Sequence, residues 1–330
     1  MSFIERVWFN PAPQHRLIKW LLFPLTCLFW LLSGMRRRGY QIGCFKTHKV
    51  PVPVIVVGNI SVGGNGKTPM VVFLADWLTQ QGYTPGILSR GYGGKATYYP
   101  ASVDLQSDVN LVGDEPLLLK QRANCPVVID PKRPRGAQYL VDKHHCDVVI
   151  CDDGLQHYAL HRDIEIVVID GVRKHGNGWL LPMGPLRETQ KRLQTVDFVI
   201  NNSGTPISPE IPMDIISGDF INLKDASLHK PVNGFSEAVT AIAAIGNPQR
   251  FYHLLDDLQV PVKQHLSFID HYQFTPSDFP DGNIVMTEKD AVKCRHMAKD
   301  NWWYLPIFAK LPESFTLQLK QKLDSIKKDT

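Results

Sequence analysis

The chain has 330 residues, 44% hydrophobic and 21% charged, an ordinary globular composition with length for about two domains. Its net charge of +4 suits anionic ligands or a membrane surface and does not by itself call for nucleic acid. Six cysteines form no Cys-x-x-Cys pair, so they read as free thiols in a reducing compartment, and no internal repeat or low-complexity segment is present.

No charge occurs between Lys19 and Arg36, and the run Trp20 to Leu32 is apolar apart from Thr26, with Pro24 inside it. Arg16 and Lys19 precede the run, and Arg36, Arg37 and Arg38 follow it. A bilayer span needs about 20 apolar residues and asymmetric positive charge. This shorter, symmetrically flanked run reads as a helix lying in the membrane interface, with its tryptophans and arginines at headgroup depth. No small-residue cleavage site follows it, which argues against a secretory signal.

The apolar run Val54 to Val57 then feeds a glycine-rich loop, Gly58-Asn59-Ile60-Ser61-Val62-Gly63-Gly64-Asn65-Gly66-Lys67-Thr68, and a helical pattern follows over 67–81. Strand, loop and helix in that order form a P-loop. Backbone N–H groups from Ser61, Val62, Gly63, Gly64, Asn65 and Gly66 cradle phosphates, Lys67 reaches the β- and γ-phosphates of ATP, and the Thr68 hydroxyl ligates Mg²⁺. Ser61 stands where the usual motif has glycine, but the loop stays glycine-rich and Lys67-Thr68 is intact.

Strand-like runs recur near 84–88, 126–130, 147–151, 164–169 and 196–200, alternating with helical stretches at 114–123 and 134–144. Continuous β-branched runs predict strands covered on both faces, hence a mostly parallel sheet with helices on both sides. The loop Ser89-Arg90-Gly91-Tyr92-Gly93 either presents Arg90 to phosphate or is a flexible turn. Val109 to Val112 reads as a strand before Gly113, and Asp114-Glu115 beyond it either caps a helix or supplies a base near the phosphates. Lys132-Arg133-Pro134-Arg135 reads as a solvated basic turn, and Pro185-Leu186-Arg187-Glu188 as an anion-binding candidate. Val148 to Cys151 runs into Asp152-Asp153, the form expected of the Mg²⁺-side partner of a P-loop, with Gln156 and His157 close behind.

Residues 201–235 are rich in Pro, Gly, Ser and Asn and are expected to hold a hinge. A second βα series follows: a strand over 239–245, a helix over 249–257, a strand over 284–286, a helix from Glu288, and a last amphipathic helix over 313–327. His271, beside Asp270 and Tyr272, is either a proton acceptor oriented by a carboxylate or a structural histidine. Thr287-Glu288-Lys289-Asp290 misplaces the lysine of the GTPase base-recognition motif, and Gly154 falls one short of the GTPase Asp-x-x-Gly spacing from Asp152, so a GTPase is disfavoured.

Taken in order, these landmarks resemble the tetraacyldisaccharide 4'-kinases (lipid A 4'-kinases): Val57 to Pro69 with Ser61 included, Ser89 to Gly93, Gly113 to Pro116, Asp152 to His157, Leu181 to Glu188, Gly246-Asn247-Pro248, Asp270-His271 and Thr287 to Asp290. Leu155 replaces the family's usual phenylalanine. The resemblance implies a P-loop NTPase-like α/β domain and a smaller α/β domain with the site between them, divided as 1–40 (membrane-associated helix), 41–225 (kinase core) and 226–330 (smaller domain, with the last helix either within it or packed back on the core). It implies ATP- and Mg²⁺-dependent phosphorylation of the 4'-hydroxyl of a tetraacyl glucosamine disaccharide 1-phosphate at the cytoplasmic face of the bacterial inner membrane. By that similarity Lys67 and Thr68 bind ATP and Mg²⁺, Asp152 and Asp153 belong to the metal site with Glu115 near it, and Asp114 and His271 activate the sugar hydroxyl. Arg187 and Glu188 lie in the site, with Arg90, Gln156 and His157 as substrate candidates. The expected partners are the glycolipid and the membrane surface, with no nucleic acid, and the chain is expected to be a monomer. The alternative is a membrane-recruited P-loop ATPase switch with a protein partner; a switch needs no base for a substrate hydroxyl, so Asp114 and His271 discriminate.

Overall fold

Helix α1 (Phe3–Phe9) and the 26-residue α2 (Arg16–Gln41) precede the sheet. The computed structural model describes residues 3–9 and 16–328. Residues 1–2, 10–15 and 329–330, which belong to the expected first and last segments, lie outside the described residues, as does the Arg16 side chain.

The first sheet collects β1 (Val54–Gly58), β2 (Pro85–Ser89), β3 (Ala101–Val103), β4 (Val127–Ile129), β5 (Val148–Asp152), β6 (Ile164–Asp170), β7 (Phe198–Asn202) and β8 (Ile211–Ser217). Its strand order, completed by β15 (Ile307–Lys310), is β15-β8-β7-β6-β1-β5-β2-β4-β3. All pairings are parallel except those of β3 with β4 and β15 with β8 at the two edges. The fully buried β-branched strands are covered on both faces, as their sequence predicts. Alternate residues of β1 split between two cores. Ile55 and Val57 meet α3 (Lys67–Gln80), α5 (Asp114–Arg122) and α9 (Glu313–Lys328), while Val54 and Val56 share a core with α6 (Arg133–His144).

Residues 109–112, expected as a strand, form a one-turn helix, α4 (Val109–Val112). Asp108 caps it by accepting from the Asn110 N–H at 2.8 Å, a local bond that favours a turn over an extended chain.

The chain leaves the first sheet after β8 and enters the second at β9 (Phe220–Asn222), continuing through β10 (His229–Lys230), β11 (Val239–Ala243), β12 (Val262–Ser267), β13 (Ile284–Thr287) and β14 (Trp302–Leu305). The order is β10-β9-β14-β13-β11-β12, parallel at its β14-β13-β11-β12 side. Helix α7 (Pro248–Asp257) and helix α8 (Glu288–Cys294) cover its two faces. Only Pro306 separates β14 in the second sheet from β15 in the first, so the polypeptide passes between the sheets at two places. After β15, Phe315, Leu319 and Leu323 of α9 are buried in the first sheet's core.

Helix α2 is about 39 Å long at 1.5 Å per residue. One side docks on the first unit: Phe29 packs into the α6-side core, the Met183 N–H donates to the Thr26 hydroxyl at 3.1 Å, and Phe23 meets Trp179 edge-on. The other side exposes Trp20, Leu21, Leu25, Leu28 and Leu32.

Candidate active site

The strand order places β1 between β5 and β6, and the register sets Asp152 beside Val57, so the glycine-rich loop and the Asp152-Asp153 pair emerge together at one end of the sheet. The loop is held from within and from outside. Asn59 Oδ1 accepts from the Ser61 backbone N–H at 3.0 Å and from its hydroxyl at 3.2 Å, and the Asn65 amide donates to Ser61 Oγ at 3.3 Å. Serine at position 61 therefore gives the loop a side-chain brace that glycine cannot supply. The Val62 N–H donates to the Pro185 carbonyl at 2.9 Å and the Arg187 N–H to the Ile60 carbonyl at 2.6 Å, which ties the loop to the Leu181–Glu188 segment. Gly66 caps α3 at φ 88°, a left-handed conformation that disfavours any side chain, and a Cβ there would lie 2.0 Å from Asn202 Nδ2.

Lys67 Nζ lies 3.5 Å from Asp153 Oδ1, and Arg187 Nη1 donates to both Asp153 oxygens at 3.1 and 3.0 Å. Burial acts to raise the Asp153 carboxyl, but Lys67 and Arg187 outweigh it and hold the group below the usual carboxylate range. Asp152 is buried at the end of β5, where it accepts from Ser89 Oγ at 3.3 Å. Burial first, then Glu115 and Asp153, push its carboxyl well above the usual range. This crowding of carboxylates is the environment that a divalent cation relieves. Among the described residues no cluster of three or more His, Cys, Asp or Glu side chains forms a metal cage. Mg²⁺ takes one or two carboxylates and fills its other positions with waters and substrate phosphates. The donor set of Thr68, Asp152 and Asp153, with Glu115 opposite, thus fits Mg²⁺ together with a nucleotide.

From the second unit, the loop after β12 carries His271. Its Nδ1 lies 2.9 and 3.0 Å from the two carboxylate oxygens of Asp114, which is buried at the start of α5. The hydrogen bond to Asp114 raises the imidazole above its ordinary pKa, against burial. Burial pulls the Asp114 carboxyl up, but His271 and Lys289 outweigh it and the carboxyl sits below its ordinary value. Lys289 Nζ reaches Glu115 at 2.8 Å, Asp270 at 3.2 Å and Asp114 at 3.9 Å. Burial works against its charge, yet these three carboxylates raise it above the ordinary lysine value. A cleft of about 1480 Å³ runs between the units and is lined by the P-loop, Arg90, Glu115, Asp152, Asp153, Arg187 and His271. It exceeds the roughly 300–1,000 Å³ of a typical small-molecule pocket, with room for a nucleotide and part of a second substrate.

Gln156 and His157 also line this cleft. Gln156 donates to the Asn59 carbonyl at 3.0 Å and to Glu188 at 2.8 Å, and its oxygen accepts from Arg187 at 3.3 Å. Burial, then Arg133 and Arg90, push His157 down to about 4. Glu188 sits apart from the main cleft: Tyr158, Gln156 and Arg192 hold it, Arg37 of α2 lies 4.0 Å away, and it lines a second cavity of about 390 Å³ beneath α2. Arg133, expected in a solvated turn, is instead buried. It begins α6 and donates to the Asp152 carbonyl at 2.8 Å, because its helix packs under the end of β5. Arg135 is the solvated member, paired with Asp130 at 2.7 Å.

A family model for LpxK, tetraacyldisaccharide-1-P 4'-kinase, matches residues 18–324. The chain belongs to this kinase family. It is 54% identical over 304 residues to the tetraacyldisaccharide 4'-kinase of Pseudoalteromonas atlantica, covering 92% of this chain and 100% of that protein. The tetraacyldisaccharide 4'-kinase of Tolumonas auensis is 48% identical, with 98% of each chain covered. A crystal structure of LpxK from Aquifex aeolicus in complex with ATP superposes with a TM-score of 0.76 at 29% identity, covering 93% of this chain and 99% of that one. The α/β fold expected from the sequence, the kinase class and ATP as cofactor are therefore borne out. The kinase cleft also holds residues that carry no role in the sequence reading. Lys289 lies within a recognised motif, whereas Asn202, Arg173 and Arg250 belong to no spacing pattern and emerge only where the two units meet.

Proposed function

We infer that this kinase transfers the γ-phosphoryl group of ATP to the 4'-hydroxyl of a tetraacyl glucosamine disaccharide 1-phosphate, forming the 1,4'-bisphosphorylated lipid. The Asp114–His271 pair, which spans the two units and lines the same cleft as the P-loop, carries the reading. Phosphoryl transfer asks the protein mainly for positioning and charge neutralisation. Lys67 and Arg187 supply positive charge to the transferred group. Thr68, Asp152 and Asp153, with Glu115, would hold Mg²⁺, which would offset the negative charge of the phosphates. Asp114 accepts from His271 Nδ1–H, fixing the tautomer and leaving Nε2 to accept the proton of the attacking hydroxyl. Lys289 keeps Asp114, Glu115 and Asp270 together at the mouth of this pair, and Arg90, Gln156 and His157 bind the sugar side.

The membrane reading rests on α2. By length and composition it could cross a bilayer, since an 18-residue window within Ile18–Gln41 has a mean hydropathy of 1.6. Length and composition alone are weak grounds for a span. Its docked side, from Phe23 to the Arg37 contact with Thr195 at 3.4 Å, keeps it against the kinase body. We place it flat in the interface, apolar side down, at the cytoplasmic face of the inner membrane, where ATP is available and the lipid substrate reaches the cleft by lateral diffusion.

His271→Ala tests the base assignment. Lipid phosphorylation should fall by about 10²-fold or more, within the usual range for general-base removal, while ATP affinity stays within about twofold. An equal loss of ATP binding would instead make His271 a nucleotide or structural residue.

A further inference from the structure

Strand β7 ends at Asn202, whose side chain is buried against the P-loop. Its Nδ2 donates to the Asn65 backbone carbonyl at 2.9 Å. Its Oδ1 accepts from Arg250 Nη2 at 2.5 Å, and the same guanidinium donates to Ser203 Oγ at 2.5 Å. Arg250 belongs to the first turns of α7, in the other unit. Among the described residues it makes no ion pair with a carboxylate, so its bonds here go to neutral acceptors on the first unit. A second tie runs the opposite way: Arg173, from the turn after β6, donates to Asn247 Oδ1 at 2.8 Å and to the Gly246 carbonyl at 3.2 Å. At this seam the backbones touch, since a Cβ on Gly246 would lie 2.9 Å from the Gly64 nitrogen.

We propose that Arg250 and Asn202 are positioning residues that make the phosphate-binding shape of the P-loop conditional on closure of the cleft. The argument is one of donors and acceptors. Arginine has only donors, so the Asn202 atom that faces it must be the carbonyl oxygen. That choice turns the NH₂ group toward the Asn65 carbonyl, which can only accept. Asn202 Oδ1 also accepts from the Ser203 hydroxyl at 3.0 Å, and Arg250 donates to that same hydroxyl, so with Arg250 withdrawn only a rotatable hydroxyl still holds the amide and the outer brace of the loop is weakened. Asn202 also closes directly over Gly66, the residue whose left-handed backbone starts α3 and presents Lys67. The second unit thereby acts on the nucleotide site as well as on the acceptor side, where His271 sits. The closed state that brings His271 to Asp114 is the same state that firms the P-loop.

The inference rests on the P-loop's role in ATP binding, and a double-mutant cycle on the full-length protein in detergent micelles separates the two. Arg250→Ala and Asn202→Ala should each lower kcat/KM for ATP by about tenfold or more, the scale of one hydrogen bond to a charged or buried group. KM for the lipid should be unchanged. The double variant should be no worse than the poorer single variant, because both act through one bond chain. Asn202→Asp, which keeps an acceptor for Arg250 but loses the donor to Asn65, should behave like Asn202→Ala. Arg250→Lys should recover part of the loss, and it perturbs folding least. Losses that multiply in the double variant, a normal Arg250→Ala enzyme, or a lowered Tm with an unchanged KM for ATP would each overturn the proposal. Failure of the wild-type protein to bind Mg²⁺–ATP would instead overturn the P-loop reading beneath it.

Discussion

Asp114→Asn removes one negative charge and keeps the side chain's shape. In the native protein the buried carboxylate receives His271 Nδ1 at 2.9 and 3.0 Å. A hydrogen bond to a charged group contributes about 1.5–3 kcal/mol, and each 1.36 kcal/mol off the barrier is tenfold in rate. The plateau kcat for phosphate transfer should therefore fall by about 10- to 150-fold. The pH profile adds a second readout. Only the neutral imidazole accepts a proton, so the wild-type rate should rise with pH through a pKa above the ordinary histidine value of 6.5 and level off beyond it. Loss of the carboxylate removes the main cause of that rise and leaves burial and Lys289, which lower the pKa, against Asp270 alone, so the acid limb should move to lower pH even as the plateau drops. The assay is transfer of labelled phosphate from ATP to tetraacyl disaccharide 1-phosphate between about pH 5 and 9, spanning the ordinary histidine pKa. A plateau within about threefold of wild type, where the bond should cost at least tenfold, or an unmoved acid limb, would refute the pairing as a catalytic device.

Lys67→Ala should cut kcat by at least about 10²-fold, the scale for one preorganised electrostatic group, and near-normal turnover would remove the P-loop from the mechanism. Gly66→Ala should weaken nucleotide binding by about tenfold or more in calorimetry while leaving the protein folded, since it adds about 1–2 kcal/mol of left-handed strain to a clash with Asn202. Replacing the exposed Trp20, Leu21, Leu25 and Leu28 with serine should abolish co-sedimentation with anionic vesicles yet preserve the near-ultraviolet circular dichroism, because each apolar side chain contributes about 1.5–3 kcal/mol when buried. Undiminished sedimentation would place the membrane contact elsewhere.

The centre of the first sheet was legible because β1, β5 and β6 are apolar runs rich in β-branched residues, and α3, α5 and α6 begin within a residue of their expected starts. Among the strands that escaped notice are the edge strands β12 and β15, and β8 beside β15. β12 reads Val-Lys-Gln-His-Leu-Ser and buries almost nothing, and β8 and β15 alternate only weakly, so neither apolar runs nor strict alternation mark them. The return of the chain from β14 to β15 across Pro306 was equally hidden, because strand partners are a property of topology and not of local pattern. Lys67, Thr68, Asp152 and Asp153, which order and spacing group together in the sequence, do line one cleft. Asp114 and His271 leave two readings open in the sequence, because a contact between residues 157 apart has no local signature. Arg133 misled because a basic cluster with proline looks like a solvated turn, and burial of an arginine against a strand-end carbonyl has no local signature.

The account stands most directly on the fate of the γ-phosphate. Purified protein incubated with γ-labelled ATP, Mg²⁺ and tetraacyl disaccharide 1-phosphate in mixed micelles should yield a lipid that carries one labelled phosphate, located at the 4' position by mass spectrometry and NMR, in equal amount to the ADP formed. Release of free phosphate at a rate indifferent to the lipid, with no label on the sugar, would contradict it.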